Sequence, residues 1–445
     1  VRRPELPRGP YLVVGLARSG QAAALALRAR GEQVIGLDSG HPDGVRRLAD
    51  AGVELRLGVD GGDGAARASR VSTVVKSPGV PFSAPAVQRA LGSGAELIGE
   101  LELAWRLLPN EFVAVTGTNG KTTTVELIGH MHRVAGLPVA VAGNVGTALS
   151  GLVGELDAGA TIVCEASSFQ LEDSRLFAPE VAVLLNVAPD HLDRHGTLER
   201  YTHAKLRVFA CQRAEDFAVL PDDLDVGPIP GRARRVLFGE GATADLSLVD
   251  GQLSWRGQPL LAASELAVPG RHNLQNAMAA AAACLVRGLD IEAVRGGLRT
   301  FPGVVHRLQL LATRDGVRFV NDSKATNVAS TLVALDALAG QKPAIHLILG
   351  GQGKGQDFAA LREPIQRTCR AVYLIGEDAE RIAAALDGVG PPVNRCETLE
   401  RAVEQARERA RPDETVLLSP ACASFDQFAD FEARGERFGE LIRRA

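Results

Sequence analysis

The sequence predicts an α/β fold in three consecutive units. Three observations lead to that reading. Apolar, strand-like runs alternate with helical stretches from end to end. Glycine-containing turns follow such runs near positions 15–20, 117–120 and 350–353. The chain has 445 residues, which at ordinary domain size suggests two to four domains.

The first unit opens with "YLVVGLARSG" (11–20), read as a buried strand, a glycine turn and the start of an Ala-rich helix. "EQVIGLD" follows as a second strand ending at Asp38. An acidic residue after the second strand of a βαβ unit is a dinucleotide-type feature. The glycine spacing is looser than the usual fingerprint, with Ala17 at the middle glycine position. "VSTVVKSPGV" (71–80) is a further strand running into a Pro-Gly turn, and the alternation continues to about Leu101.

The second unit begins with "EFVAV" and "TGTNGKTTT". Strand, loop and helix follow in that order, which is the context a phosphate-binding loop requires. The pattern is a shortened P-loop, G-x-x-G-K-T from Gly117 to Thr122. Backbone N–H groups at a helix N-terminus face phosphate oxygens, Lys121 neutralises the outer phosphates, and the Thr122 hydroxyl can bind Mg²⁺. A phosphate-bound Mg²⁺ also needs a carboxylate, and Glu165 ends the strand "TIVCE". In "NVAPDHLDRHG" (186–196), His191 and His195 are four apart. Zinc is disfavoured because no third ligand stands at motif spacing. A role for His191 beside a second Mg²⁺ is the preferred reading. Lys205 lies on the amphipathic stretch "YTHAKLRVF". The segment 232–261 is expected to be an inserted β-hairpin. "PGRHNLQNAMAAAAACLVRG" (269–288) is expected to be a helix, with Asn273 and Asn276 on its first turns.

The third unit repeats the alternation after "FPGVVHR" (301–307), with strands near 317–322, 344–351, 371–376 and 414–420. "NDSKATN", "GGQGK" and "SPACASFDQF" follow these strands. Open parallel sheets bind ligands at such strand ends.

Composition narrows the function classes. The net charge of −4 leaves no basic footprint for nucleic acid and no polybasic membrane patch. No apolar run reaches the length of a membrane span; the longest, around Ala277–Val286, is too short. "VRRPELPRGP" has no apolar core and does not read as a secretory signal. Six cysteines with no CxxC pair suit a reducing cytoplasm. Only six of the 49 basic residues are lysine. A lysine kept against that bias is a candidate for work that arginine cannot do, such as acting as a compact or deprotonated amine. Four of the six, Lys121, Lys205, Lys324 and Lys354, fall in candidate sites. Asparagine is also scarce, at nine.

The stretches "TGTNGKTT", "EASSFQLE", "DHLDRHG", "YTHAKLR", "GRHNLQNAMAA", "HRLQ", "NDSKATN" and "SPACASFDQF" together resemble the Mur ligases over essentially the whole chain. "NDSKATN" and "SPACASFDQF" resemble the branch that adds D-glutamate to UDP-N-acetylmuramoyl-L-alanine. No Asp-Asn-Pro-Arg tetrapeptide of the diaminopimelate/lysine-adding branch is present. Ala17 and Gln352 depart from the family pattern.

The resemblance implies a Rossmann-like domain binding uridine diphosphate (1–101), a central P-loop ATPase-like domain with a parallel sheet (102–301), and a C-terminal Rossmann-like domain binding the amino acid (302–445). It implies a cytoplasmic, monomeric ligase using ATP and two Mg²⁺ ions through an acyl phosphate. Thr122 and Glu165 would serve one ion, His191 and a CO₂-derived carbamate on Lys205 the other. Gly117, Thr118, Asn119, Gly120, Lys121, Thr122 and Thr123 would hold the ATP phosphates, and Asn276, Arg307 and Asp322 would face its adenosine part. Ser19, Asp38, Ser77 and Gly79 would bind the uridine diphosphate, with Asn144 and His191 on the muramoyl part. Lys324, Thr326, Lys354, Ser424 and Phe431 would shape the D-glutamate site. Two other classes remain open from the residues alone: a phosphotransferase that releases a phosphorylated product, and a nucleotide-sugar-binding regulator.

Overall fold

Strands form where the Val-, Leu- and Ile-rich runs occur, and most are buried on both faces, as parallel strands covered by helices are. The computed structural model describes residues 3–60, 71–144, 146–241, 243–268, 270–340, 342, 344–353 and 355–443, with the backbone alone at 193. Two compact units divide the chain, Val1–Pro302 and Gly303–Ala445.

The first unit contains two sheets. One is built from β1 (Tyr11–Val14), β2 (Val34–Asp38), β3 (Glu54–Leu57), β4 (Thr73–Lys76) and β5 (Glu96–Gly99). Its order is β3-β2-β1-β4-β5, and every pairing is parallel. The other is built from β6 (Phe112–Thr116), β7 (Val139–Gly143), β8 (Thr161–Glu165), β9 (Val181–Leu184), β10 (Phe217–Pro221), β11 (Arg234–Gly239), β12 (Leu246–Val249), β13 (Gln252–Trp255) and β14 (Gln258–Ala262). Its order is β14-β13-β12-β11-β10-β9-β6-β8-β7. β6 therefore lies between β8 and β9, parallel to both. The loops leaving all three strands gather at one sheet edge, the edge where parallel sheets bind ligands.

The expected inserted hairpin at 232–261 is corrected. β11 pairs in parallel with β10 and extends the sheet, and β12 continues parallel to β11. β12, β13 and β14 then pair antiparallel in succession, so the hairpin reading holds for 246–262 alone. Short, half-exposed strands look like a hairpin locally, because the partner of Arg234 is Phe217 and that pairing leaves no mark in the local pattern.

One helix packs against both sheets. In Glu100–Leu107, Leu101, Ala104 and Trp105 share one stripe at helical spacing and join the core of the second sheet. Leu103 points into the core of the first, with Tyr11, Val13 and Ile98. Two buried acids on this helix tie down second-sheet backbone: Glu100 accepts from Ser150 N at 2.7 Å, and Glu102 accepts from Leu176 N at 3.2 Å.

The second unit contains β15 (Gln309–Arg314), β16 (Val317–Asn321), β17 (Ile345–Gly350), β18 (Cys369–Ile375), β19 (Val393–Glu397) and β20 (Thr415–Leu418). The order is β15-β16-β20-β17-β18-β19, parallel except for β15. Neighbouring β16, β20 and β17 bring the loops after 321, 418 and 350 to one edge. Among the described residues no helix is long and apolar enough to cross a membrane.

Phe177 anchors the core under the bridging helix. Its ring meets Trp105 edge-on at 5.8 Å and Phe112 at 6.3 Å. Phe177→Ala is expected to destabilise the first unit by about 3–5 kcal/mol. Denaturant unfolding should show the midpoint falling with an unchanged m-value.

Candidate active site

The loop after β6 is shaped by close approach. Gly120 caps the helix Lys121–Val134 in the left-handed region, at φ 86°. A Cβ there would lie 2.2 Å from Asn276 Oδ1. This glycine is thus required twice, by its backbone angle and by the amide packed on it. Asn276, nearly fully buried on the helix Arg271–Val286, is brought against the loop from 156 residues away in sequence. Asn186 staples the other side. Its Oδ1 accepts from Thr118 N at 3.1 Å and Asn119 N at 2.9 Å, and its Nδ2 donates to Asn119 O at 3.1 Å. The Thr118 hydroxyl meets Tyr201 OH at 3.2 Å. Thr123 continues the first helical turn and is buried.

Around this loop the charged groups converge. Thr122 Oγ1 donates to Glu165 Oε2 at 2.8 Å. Asn144 Nδ2 donates to the other oxygen, Oε1, at 3.1 Å. Both carboxylate oxygens are therefore oriented by neighbours. Lys121 Nζ donates to the carbonyls of Gly117 and Thr118, each at 2.9 Å. Lys205 Nζ donates to the same Gly117 carbonyl at 2.7 Å and lies 4.4 Å from the Tyr201 ring centroid. Two amines thus share one oxygen. Burial, and then the nearby Lys121, pull the Lys205 amine down from its ordinary value of 10.5 to about 7, against the opposing pull of Asp190 and Glu165. A fully buried lysine at that value is half neutral near pH 7 and can act as a nucleophile.

His191 caps the short helix Leu192–His195 in a left-handed conformation (φ 50°) and is half exposed, with its ring 4.9 Å from Phe169. His195 is buried, stacked on Phe169, and bonded through Nε2 to Ser168 Oγ at 3.0 Å. Burial lowers its pKa. Among the described residues no three His, Cys, Asp or Glu side chains group to hold a metal ion. The neighbouring Thr122 hydroxyl and Glu165 carboxylate are hard oxygen donors of the kind that suit Mg²⁺.

The other candidates lie in two places. In the first sheet, Asp38 accepts from Leu16 N at 2.6 Å and Gly40 N at 2.8 Å, holding the glycine turn. Ser77 Oγ donates to Gly15 O at 2.7 Å, Ser19 is on the first helical turn, and Gly79 is exposed. In the second unit, Asp322 is buried and accepts from Ser419 Oγ at 2.7 Å and Leu308 N at 3.1 Å. Burial lifts its carboxyl to about 6. Arg307 is half-buried and its charge opposes that rise. Lys324 Nζ lies 5.9 Å from the Phe431 ring, and Thr326 N donates to Lys324 O at 2.9 Å. Ser424 is buried at the end of the loop after β20. Lys354 lies outside the described residues.

Sequence reasoning missed Asn186, Tyr201, Ser168 and Arg434. Arg434 is buried and donates to the carbonyls of Ser323 (2.9 Å) and Cys422 (3.0 Å), joining the loops after β16 and β20. The scarcity of asparagine could have flagged Asn186.

Residues 115–284 match the Mur ligase middle domain, and residues 306–422 match the Mur ligase, glutamate ligase domain. The UDP-N-acetylmuramoylalanine–D-glutamate ligase of Pelotomaculum thermopropionicum is 41% identical, with 98% of each chain covered. That of Acidobacterium capsulatum is also 41% identical, over 98% of this chain and 97% of its own. The chain belongs to the Mur ligase family. Solved Mur ligases share the fold at low identity. The UDP-N-acetylmuramate–alanine ligase of Thermotoga maritima superposes with a TM-score of 0.61 at 21% identity, covering 98% of this chain and 99% of that one. The MurF ligase of Thermotoga maritima in complex with ADP does so with a TM-score of 0.59 at 18% identity, covering 93% and 96%.

The buried amine of this Mur ligase makes its own stability pH-dependent. The folded pKa of Lys205 lies below its unfolded value, so charging it in the fold costs stability at low pH. The cost is complete below about 7 and fades as pH rises towards 10.5. Lys205→Met removes it. In CO₂-free buffer the variant is expected to resist denaturant better than the parent at pH 6, with the gap narrowing by pH 9.

Proposed function

We propose that this chain joins D-glutamate to UDP-N-acetylmuramoyl-L-alanine at the expense of ATP, in cytoplasmic peptidoglycan precursor synthesis. One observation carries the reading. The Thr122–Glu165 pair sits beside a phosphate loop whose Gly117 carbonyl receives both Lys121 and Lys205. The curated relatives named above carry this activity in their names.

A carboxylate does not acylate an amine at neutral pH until one of its oxygens becomes a leaving group. The L-alanyl carboxylate therefore takes the γ-phosphoryl group of ATP and ADP departs. The amine of D-glutamate attacks the acyl carbon, loses a proton, and phosphate leaves. Loop N–H groups and Lys121 hold the phosphates. Asn144, already aimed at Glu165, positions the muramoyl end together with His191. Ser19, Asp38, Ser77 and Gly79 hold the uridine diphosphate, and Asn276 packs the ATP loop. Arg307 and Asp322 are assigned to adenosine, and Lys324, Thr326, Lys354, Ser424 and Phe431 to D-glutamate, on the resemblance.

The donor set fits Mg²⁺: Thr122 and Glu165 would hold one ion, and His191 with Lys205 a second. Bound there, Mg²⁺ spreads the charge that builds as phosphoryl passes between two anions. The neutral Lys205 amine adds to CO₂ and releases a proton, giving a carbamate whose oxygens are suitable ligands.

Phosphate release with UDP-N-acetylmuramoyl-L-alanine, measured against amino acids of both hands, tests the reading. D-glutamate is expected to stand out. ATP turnover indifferent to the amine would indicate a phosphotransferase instead. Borohydride is expected to trap the acyl phosphate as an alcohol when D-glutamate is omitted. Trapping that needs the amino acid would end the two-step scheme.

Lys205→Arg keeps the charge and loses the carbamate. It is expected to abolish nearly all turnover with the fold intact by circular dichroism. Ordinary turnover in that variant would rule the carbamate out.

A further inference from the structure

The first unit must hold one long substrate at two places. On the reading above, on which this inference rests, the uridine diphosphate lies on the 77–79 turn of the first sheet. The reacting carboxylate lies beside Asn144 and Lys205 in the second. The spacing between these places decides whether the carboxylate reaches the phosphate.

Two cations tie that turn to the second sheet's loops, Lys76 from beneath the turn itself and Arg194 from the loops. Lys76, the last residue of β4, is fully buried, and its Nζ lies 2.7 Å from Asp173 Oδ2. The same amine donates to Val80 O at 2.8 Å, closing the turn from beneath. Asp173 follows the helix Ser168–Glu172, which begins three residues after Glu165. Its backbone is held as well, since Gly99 N donates to Asp173 O at 3.1 Å. Arg194 reaches the turn from the other side. It donates through Nη1 to Pro78 O at 3.0 Å, while its guanidinium lies over the Phe169 ring at 4.0 Å. Both links end on one short helix, whose first residue, Ser168, is itself bonded to His195.

A buried ion pair adds little net stability, because desolvating two charges offsets their attraction. Its contribution here is geometric. We propose that Lys76, through Asp173, and Arg194 are positioning residues that set the distance between the diphosphate turn and the Thr122–Glu165 pair. Binding energy gathered at the nucleotide end is thereby used to place the carboxylate.

The test compares two substrates: UDP-N-acetylmuramoyl-L-alanine, and N-acetylmuramoyl-L-alanine without the nucleotide. Lys76→Met/Asp173→Asn removes both charges together and nearly keeps the volume, so it leaves no unpaired buried ion. Arg194→Gln alters a side chain that is partly exposed and carries the test if the double variant does not fold. Thermal melts establish folding, and ADP release is followed at saturating ATP and D-glutamate.

For the long substrate, kcat/KM is expected to fall about tenfold to a hundredfold, with kcat falling as well as KM rising. For the short one it is expected to change by no more than about twofold, because that substrate never touches the turn. Equal losses on both substrates, or none on either, overturn the inference. A parent enzyme that uses both substrates equally well, and is not inhibited competitively by uridine diphosphate, overturns the diphosphate assignment and the inference with it.

Discussion

The site is organised by one carbonyl oxygen. Gly117 O receives Lys121 Nζ at 2.9 Å and Lys205 Nζ at 2.7 Å. Burial disfavours a charged amine on this carbonyl, and the second amine beside it adds repulsion. The structure resolves the conflict through Lys205, whose pKa drops to about 7. Lys121, partly exposed on the first helical turn, is the amine assigned above to the phosphates. Lys205 is freed for chemistry that a charged lysine cannot do. The surrounding contacts keep that carbonyl in place. Gly120 turns left-handed under Asn276, Asn186 pins the backbone of Thr118 and Asn119, and Tyr201 covers the Lys205 amine.

The second unit meets a similar problem with another cation. Arg434 is buried, and burial lowers its pKa to about 10. It stays charged at neutral pH, and its donors are taken by Ser323 Oγ and the carbonyls of Ser323 and Cys422. A planar fork with several fixed donors can satisfy carbonyls from two loops at once. Lysine, a point charge, could not hold both loops in register. Asp322 complements this arrangement from β16, receiving the Ser419 hydroxyl of the β20 loop. The polar edge of this sheet is thus cross-linked before any ligand is considered.

Much of the fold was legible because parallel α/β units leave local marks: a buried strand, a glycine turn and then a helix. That the glycine loop after β6, Glu165 and Lys205 come together follows from the same marks, each standing at a strand end or on an amphipathic helix. What local pattern could not carry was pairing at long range. The segment 232–261 looked like a hairpin because its strands are short and half exposed, yet β11 takes its partner from residues 217–221. The helix Glu100–Leu107 showed an apolar stripe but not that its flanks would serve two different cores. Asn186 and Tyr201 stood in stretches already read for their neighbours, and their contacts with the loop depend on β6 and β9 being adjacent. Arg434 lies in a chain rich in arginine, so its type carried no signal.

The lysine bias extends further than the motifs did. Of the six lysines, Lys342 is exposed, and Lys121, Lys205 and Lys324 stand in stretches that motifs already mark. No motif surrounds Lys76, yet with Lys205 it is the most deeply buried amine among the described residues. The physical reason for its retention is the one that flagged the others. An arginine at the end of β4 would bring a wider, planar head into a niche with no exposed surface. Its fork would have to satisfy several donors where Asp173 and the Val80 carbonyl accept a single compact ammonium. In a sequence where lysine is scarce and arginine common, the buried amines of Lys76 and Lys205 mark places where the geometry accepts only a small cation. These are a structural joint and a chemical site. Residue scarcity therefore reports on the shape of a niche, and its chemistry has to be read from the partners that the fold brings to it.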